Sequence, residues 1–214
     1  MPTSLVKERI AVATALDYLC KDSAYDEVPV AAICEEAGIS RASFYRYFEN
    51  KYAVAVWFED LLLDAGMLQI GRSYNWHDGF LISSMATQIF PYMMQEAVLC
   101  EGYQTLVGNT ERRFSAALLD TCENVKHVKV DDNLRYQIRF FTSAAARESM
   151  LNRRRGSTTP VDIADDVVSC VPRRLFDLLD KPEWPKPFHP VSLSDLTRMP
   201  EGDATPTALG KSSS

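Results

Sequence analysis

Histidine is scarce in this chain: His77, His127 and His189 lie far apart and share no metal-ligand spacing. No metal site is expected from them. The five cysteines (Cys20, Cys34, Cys100, Cys122 and Cys170) are odd in number, scattered and never spaced C-x-x-C. That argues against a disulfide framework and against a zinc knuckle, and leaves them as small hydrophobes of a reducing compartment. No G-x-S-x-G elbow or H-E-x-x-H pair occurs, and no nucleophile, base and acid fall into a known arrangement. Neither catalysis nor a cofactor is therefore expected. No apolar stretch approaches the roughly 18 uninterrupted residues that a membrane-spanning helix needs. Residues Met1 to Glu8 lack the basic-then-apolar order of a secretory signal, so a cytoplasmic location is expected. Sustained alternation and Asn-Gly or Asp-Gly hairpins between β-branched runs are also missing, which excludes an ordinary sheet.

What remains is helical. Of the 214 residues 46% are hydrophobic and 24% charged, enough for a substantial core in a soluble protein. Helical spacing predicts helices over 4–22, from Pro29 to about Ala37, over 41–48, from Lys51 towards Gly71, and near 78–100, 103–125, 131–153 and 160–180. Gly38 is placed to take a positive φ just past a helix end, and Ser40 and Asn50 to cap the helices that follow them. Pro91 is expected to kink or split its helix. After Lys181 the chain becomes proline-dense and then small and polar, and a disordered tail over 182–214 is expected, with docking of Trp184 and Phe188 the alternative.

The two short helices around Gly38 make a helix-turn-helix. Val30, Ile33, Cys34 and Ala37 form an inward stripe, Ile39 plugs the turn, and Phe44 and Phe48, four apart, anchor the second helix. Arg41, Ala42, Ser43, Tyr45 and Arg46 are left on the outer face. Arg41 can fork onto guanine O6 and N7, while Ser43 and Tyr45 offer hydroxyls to phosphate. The formal net charge of −6 gives no support to DNA binding. Residues 1–60 hold six Lys/Arg against ten Asp/Glu, yet within 40–51 Arg41, Arg46 and Lys51 face only Glu49. A net positive balance is confined to the recognition element.

The string from Val28 to Lys51 resembles the signature of TetR/AcrR regulators. Its matching features are Ile33-x-x-x-Ala37-Gly38-Ile39-Ser40, then Ser43-Phe44-Tyr45-x-Tyr47-Phe48, then Asn50-Lys51. Lys51-Tyr52 and Trp57 are similar to a subgroup that includes the coactivator of dihydroxyacetone kinase genes. The resemblance implies an all-α fold: a three-helix DNA-binding domain over 1–50, a helical dimerisation and possible ligand-binding domain over 51–181, then the tail. It implies DNA contacts from Ser40, Arg41, Ala42, Ser43, Tyr45, Arg46, Tyr47 and Lys51, with Arg41, Ala42 and Ser43 at or beside base edges and Tyr45, Tyr47 and Lys51 at phosphates. The expected partners are operator DNA, a second copy held through 131–153 and 160–180, and a small hydrophobic or aromatic effector that releases a repressor. A coactivator or protein–protein adaptor of the same fold is the alternative. The chain departs from the family in carrying Pro29 where Ser or Thr commonly caps the helix.

Three further readings concern the second half. The rings and thioethers of 57–141 could line an effector cavity, although such spacing also makes ordinary core. Arg153, Arg154 and Arg155 suit a solvated helix end, where cations complement the dipole. The seam between two copies is expected from Leu134, Ile138, Phe141, Ala145 and Met150, with Val161, Ala164, Val168, Val171, Leu175 and Leu178.

Overall fold

The computed structural model describes residues 4–155 and 159–196. Among these, regular structure is helical apart from one isolated bridge between Ile70 and Tyr74. The helices are α1 (Ser4–Cys20), α2 (Val30–Glu36), α3 (Arg41–Tyr47), α4 (Tyr52–Ala65), α5 (Trp76–Ala86), α6 (Pro91–Glu96), α7 (Tyr103–Asp120), α8 (Asp132–Arg155), α9 (Pro160–Ser169), α10 (Arg173–Leu179) and α11 (Leu193–Leu196). No described helix is long and apolar enough to cross a membrane.

Three expected long helices are broken, one where another helix crosses it and two at prolines. The helix from Lys51 ends at Ala65 rather than near Gly71. Gly66 lies against α5 so closely that a Cβ there would stand 2.4 Å from the Gly79 carbonyl oxygen. Ser83 of α5 completes the stop: its hydroxyl donates to the Leu62 carbonyl at 2.8 Å and accepts from the Met67 N–H at 3.0 Å. The 78–100 stretch is split, with α6 opening on Pro91, whose missing N–H costs nothing in a first helical turn. The 160–180 stretch is divided at Pro172, which bars a continuous ladder and starts α10.

Two buried clusters hold these elements. One joins α1, α2, α3, α4 and α6, from Val12, Leu16 and Ile33 through Phe44 and Phe48 to Phe58, Phe90 and Met93. It runs without interruption across the junction at 50/51. The other lies between α5, α7, α8, α9 and α10, where Trp76, Phe80, Phe114 and Phe141 pack ring on ring with centroids 5.5 to 6.5 Å apart. These aromatics make core by filling it with one another.

Two expectations need correction here. Leu134, Ile138, Phe141, Ala145, Met150, Ala164 and Leu175, expected at a seam between copies, are all buried within their own subunit. Helical spacing identifies a buried stripe but not whose surface buries it. The segment after Lys181 is also not a free tail as far as Leu196. The N–H groups of Glu183, Trp184 and Lys186 donate to the carbonyls of Gly71, Arg72 and Ser73 at 3.1, 2.7 and 3.0 Å. Lys126 Nζ donates to the Lys181 carbonyl at 2.7 Å. Prolines forbid a helix here but leave the residues between them free to donate, and the backbone docks while Trp184 stays 60% exposed. Val191 and Leu193 then pack against the first cluster, and α11 lies on α4. Residues 197–214 and the side chains of Arg153, Arg154 and Arg155 lie outside the described set.

Gly66→Ala is expected to cost about 1–3 kcal/mol, because the added methyl meets backbone that cannot yield. Gly108→Ala, inside α7 with nothing within 4 Å of its added Cβ, should instead stabilise, by about 0.5–1 kcal/mol. Urea denaturation of both variants checks the pair, and equal signs would contradict this packing.

Candidate nucleic-acid interface

Local chemistry builds the reading head. α2 starts after Pro29 with no side-chain cap, as the departure from the family pattern implies. It ends at Glu36, and Gly38, whose φ of +66° suits glycine, then turns the chain sharply. Ser40 then caps α3, accepting the Ser43 N–H at 3.0 Å. Asn50 accepts the Ala53 N–H at 3.0 Å and so opens α4.

Phe44 and Phe48 are 0% and 4% exposed, with centroids 5.8 Å apart. Phe48 meets Trp57 of α4 edge-on at 5.9 Å, and the Arg9 guanidinium of α1 lies 6.0 Å from its centroid. Burying the two rings stabilises by about 2–3 kcal/mol each. That is enough to give α3 one rotational setting. In that setting Ser40, Arg41, Ala42, Tyr45 and Arg46 are exposed and Ser43 is half-exposed, all on one outward face. The face combines two guanidiniums with three hydroxyls, donors suited to base edges and phosphates. None of the described residues forms an ion pair with Arg41, whereas Arg46 is paired.

The other expected contact residues are placed differently. Tyr47 is half-buried and its hydroxyl donates to Glu8 Oε2 of α1 at 2.7 Å. Arg46 donates to the same phenol oxygen, lies 4.8 Å from the ring centroid, and approaches Glu8 at 3.5 Å. Lys51 is turned inward: its ammonium donates to the carbonyls of Asp26 at 2.6 Å and Val28 at 3.0 Å. The loop before α2 is thereby pinned to the start of α4.

Tyr25 belongs to this base although its neighbours are polar, which hid it in the sequence. It is 1% exposed, donates to the Lys51 carbonyl at 2.9 Å and stacks on Tyr52 at 5.7 Å. Burial raises its phenol well above the ordinary value. Tyr52 in turn donates to Asp26 Oδ1 at 2.7 Å, a bond that, with burial, pushes its phenol up to about 12. The Asp26 carboxylate also accepts the Glu101 N–H at 3.1 Å, and Asp17 of α1 accepts the Met93 N–H of α6 at 2.8 Å. The head is thus tied to the body at two carboxylates. Among the described residues no group of three His, Cys, Asp or Glu side chains could hold a metal ion.

Residues 19–56 match the family model of bacterial regulatory proteins, tetR family. No curated protein matches the chain. The fold is similar to that of the dihydroxyacetone kinase operon activator DhaS, at 16% identity and a TM-score of 0.58, covering 81% of this chain and 98% of that one. A TetR transcriptional regulator from Rhodococcus sp. RHA1 is aligned at 17% identity and a TM-score of 0.46, over 80% of this chain and 94% of its own.

Lys51→Met keeps the apolar stem but removes both donor bonds, so stability should fall by about 1–3 kcal/mol. A urea midpoint equal to that of the parent would show that the inward ammonium pins nothing.

Proposed function

We propose that this chain, whose residues 19–56 match the model of bacterial regulatory proteins of the tetR family, binds operator DNA in sequence-specific fashion and regulates transcription. The observation that carries the reading is the outward face of α3, with Arg41 unpaired among the described residues and the helix set by Phe44 and Phe48. Arg41 and Ser43 meet base edges; Ser40, Tyr45 and Arg46 meet phosphates and sugar. Lys51 and Tyr47 act from behind, holding the loop and the helix in register. The direction proposed is repression, because a protein seated over a promoter excludes polymerase with no further contact. A small hydrophobic or aromatic effector that releases the repressor is the ligand class proposed.

Binding as a homodimer belongs to the same reading, since such heads address two half-sites about one helical turn apart or a multiple of it. The seam we propose is the outer face of α8. Tyr136 and Phe140 are 57% and 66% exposed there and stack at 6.1 Å. With Arg139, Ala144, Arg147 and Glu111 of α7 they line an open groove of about 510 Å³. Two adjacent exposed rings are an unusual cost for a monomer and an ordinary feature of an interface core.

Arg41→Ala should reduce affinity for DNA flanking the protein's own gene by about 1–3 kcal/mol and change random-duplex binding much less. Equal affinity of parent and variant for both probes would remove α3 as the reader. Replacing Tyr136 and Phe140 together by Ser should yield folded monomers in sedimentation, with monomer stability changed by no more than about 0.5 kcal/mol per site. A variant that sediments as the parent dimer does would move the seam elsewhere.

A further inference from the structure

We propose that Glu8 of α1 is an intramolecular counter-ion that sets how strongly the reading head binds any DNA. The inference rests on the DNA-binding reading and assigns to α1 a role in it. The Glu8 carboxylate accepts the Tyr47 hydroxyl at 2.7 Å and lies 3.5 Å from Arg46 Nη2, while Arg46 itself donates to the Tyr47 oxygen. One carboxylate on α1 therefore holds two neighbouring donors of α3. The Arg46 side chain is 61% exposed and that of Glu8 31%, so the pair sits at the rim of the reading face, where solvent screens it. A pair so exposed contributes little to stability. Its consequence lies in binding.

Of the three cations within 40–51, Lys51 is turned onto backbone carbonyls and Arg46 is held by Glu8. Arg41 alone of the three has neither an ion pair nor a side-chain hydrogen bond with a described residue. A phosphate that engages Arg46 must displace Glu8 or accept a carboxylate beside it. Either way part of the Coulombic gain is lost, and fewer counterions are released in net terms. The loss is common to every sequence, since phosphates carry none of the code. An acidic head with this contact binds bulk DNA weakly and leaves discrimination to the base contacts of Arg41 and Ser43. Tyr47 is the mechanical half of the device: its bond to Glu8 keeps the carboxylate against α3.

The test measures binding of a labelled random-sequence duplex over a range of salt concentrations for the parent, Glu8→Gln, Asp22→Asn, Arg46→Ala and Glu8→Gln with Arg46→Ala. Asp22 is exposed and makes the same change of charge without touching Arg46. Glu8→Gln should bind about three- to tenfold more tightly, as expected for removing one unit charge a few ångströms from a phosphate. The magnitude of its salt slope should rise by up to about one. The gain should vanish in the Arg46→Ala background, and Asp22→Asn should show little of it. Thermal melts check the folding of each variant, with Glu8→Ala as a second removal of the charge. No gain in either Glu8 variant, an equal gain in Asp22→Asn, or a gain that survives loss of Arg46 overturns the proposal. A parent that binds no duplex at low salt overturns the DNA reading and this proposal with it, whereas a parent that binds with no Glu8 effect overturns this proposal alone.

Discussion

The seating of Phe44 and Phe48 against α1 and α4 is the constraint on which the reading head depends. A seven-residue helix such as α3 is too short to persist alone, because helix nucleation is costly and short helices draw their stability from tertiary packing. Phe44 from within the helix and Phe48 from its C-cap provide that packing, and together they hold the helix in one rotational setting. Everything on the outer face follows from that rotation. A turn of one residue would bring Tyr45 inward and carry a phenylalanine out to solvent. The capping bond from Ser40 and the left-handed Gly38 then settle where the helix begins, so that Arg41 comes first in it.

The same core connects recognition to the body. Val54 and Phe58 of α4 share a cluster with Phe44, and Phe58 meets Phe90 beside α6 at 4.7 Å. Polar contacts reinforce the apolar ones at the edges: Asp17 on the first turn of α6, Asp26 on the Glu101 N–H, Lys51 on the loop before α2. These contacts join α6 and the loop leading to α7 directly to α1 and to the loop before α2. Residues 182–196, fastened at Gly71 to Ser73 and again on α4, lie across the outside of this arrangement.

How much of this was legible in the sequence follows from how local each determinant is. The helix-turn-helix could be read because its parts lie within a few residues of one another: a positive-φ glycine, a capping serine, two phenylalanines at helical spacing. The outer face of α3 followed by subtraction. The inward bonds of Lys51 are not legible, because its carbonyl partners lie 23 and 25 residues away. Tyr25 was lost among acidic neighbours because its acceptor lies 26 residues away. The break at Gly66 needs α5 to cross it, and the docking of 183–186 needs a turn more than a hundred residues earlier. The stripes of α8 and α9 were correctly apolar but could not say whether another helix or another subunit covered them. In each case the missing information was a contact between distant parts of the chain, which periodicity and capping do not encode.

The central claim is that the outer face of α3 is the surface that meets DNA. Amide hydrogen exchange with and without a duplex enriched by the protein from a random library tests it most directly. The account predicts slower exchange over residues 40–47 on binding, with the amides of α9 and α10 unchanged. Unaltered exchange over 40–47, with protection appearing elsewhere in the chain, would contradict it.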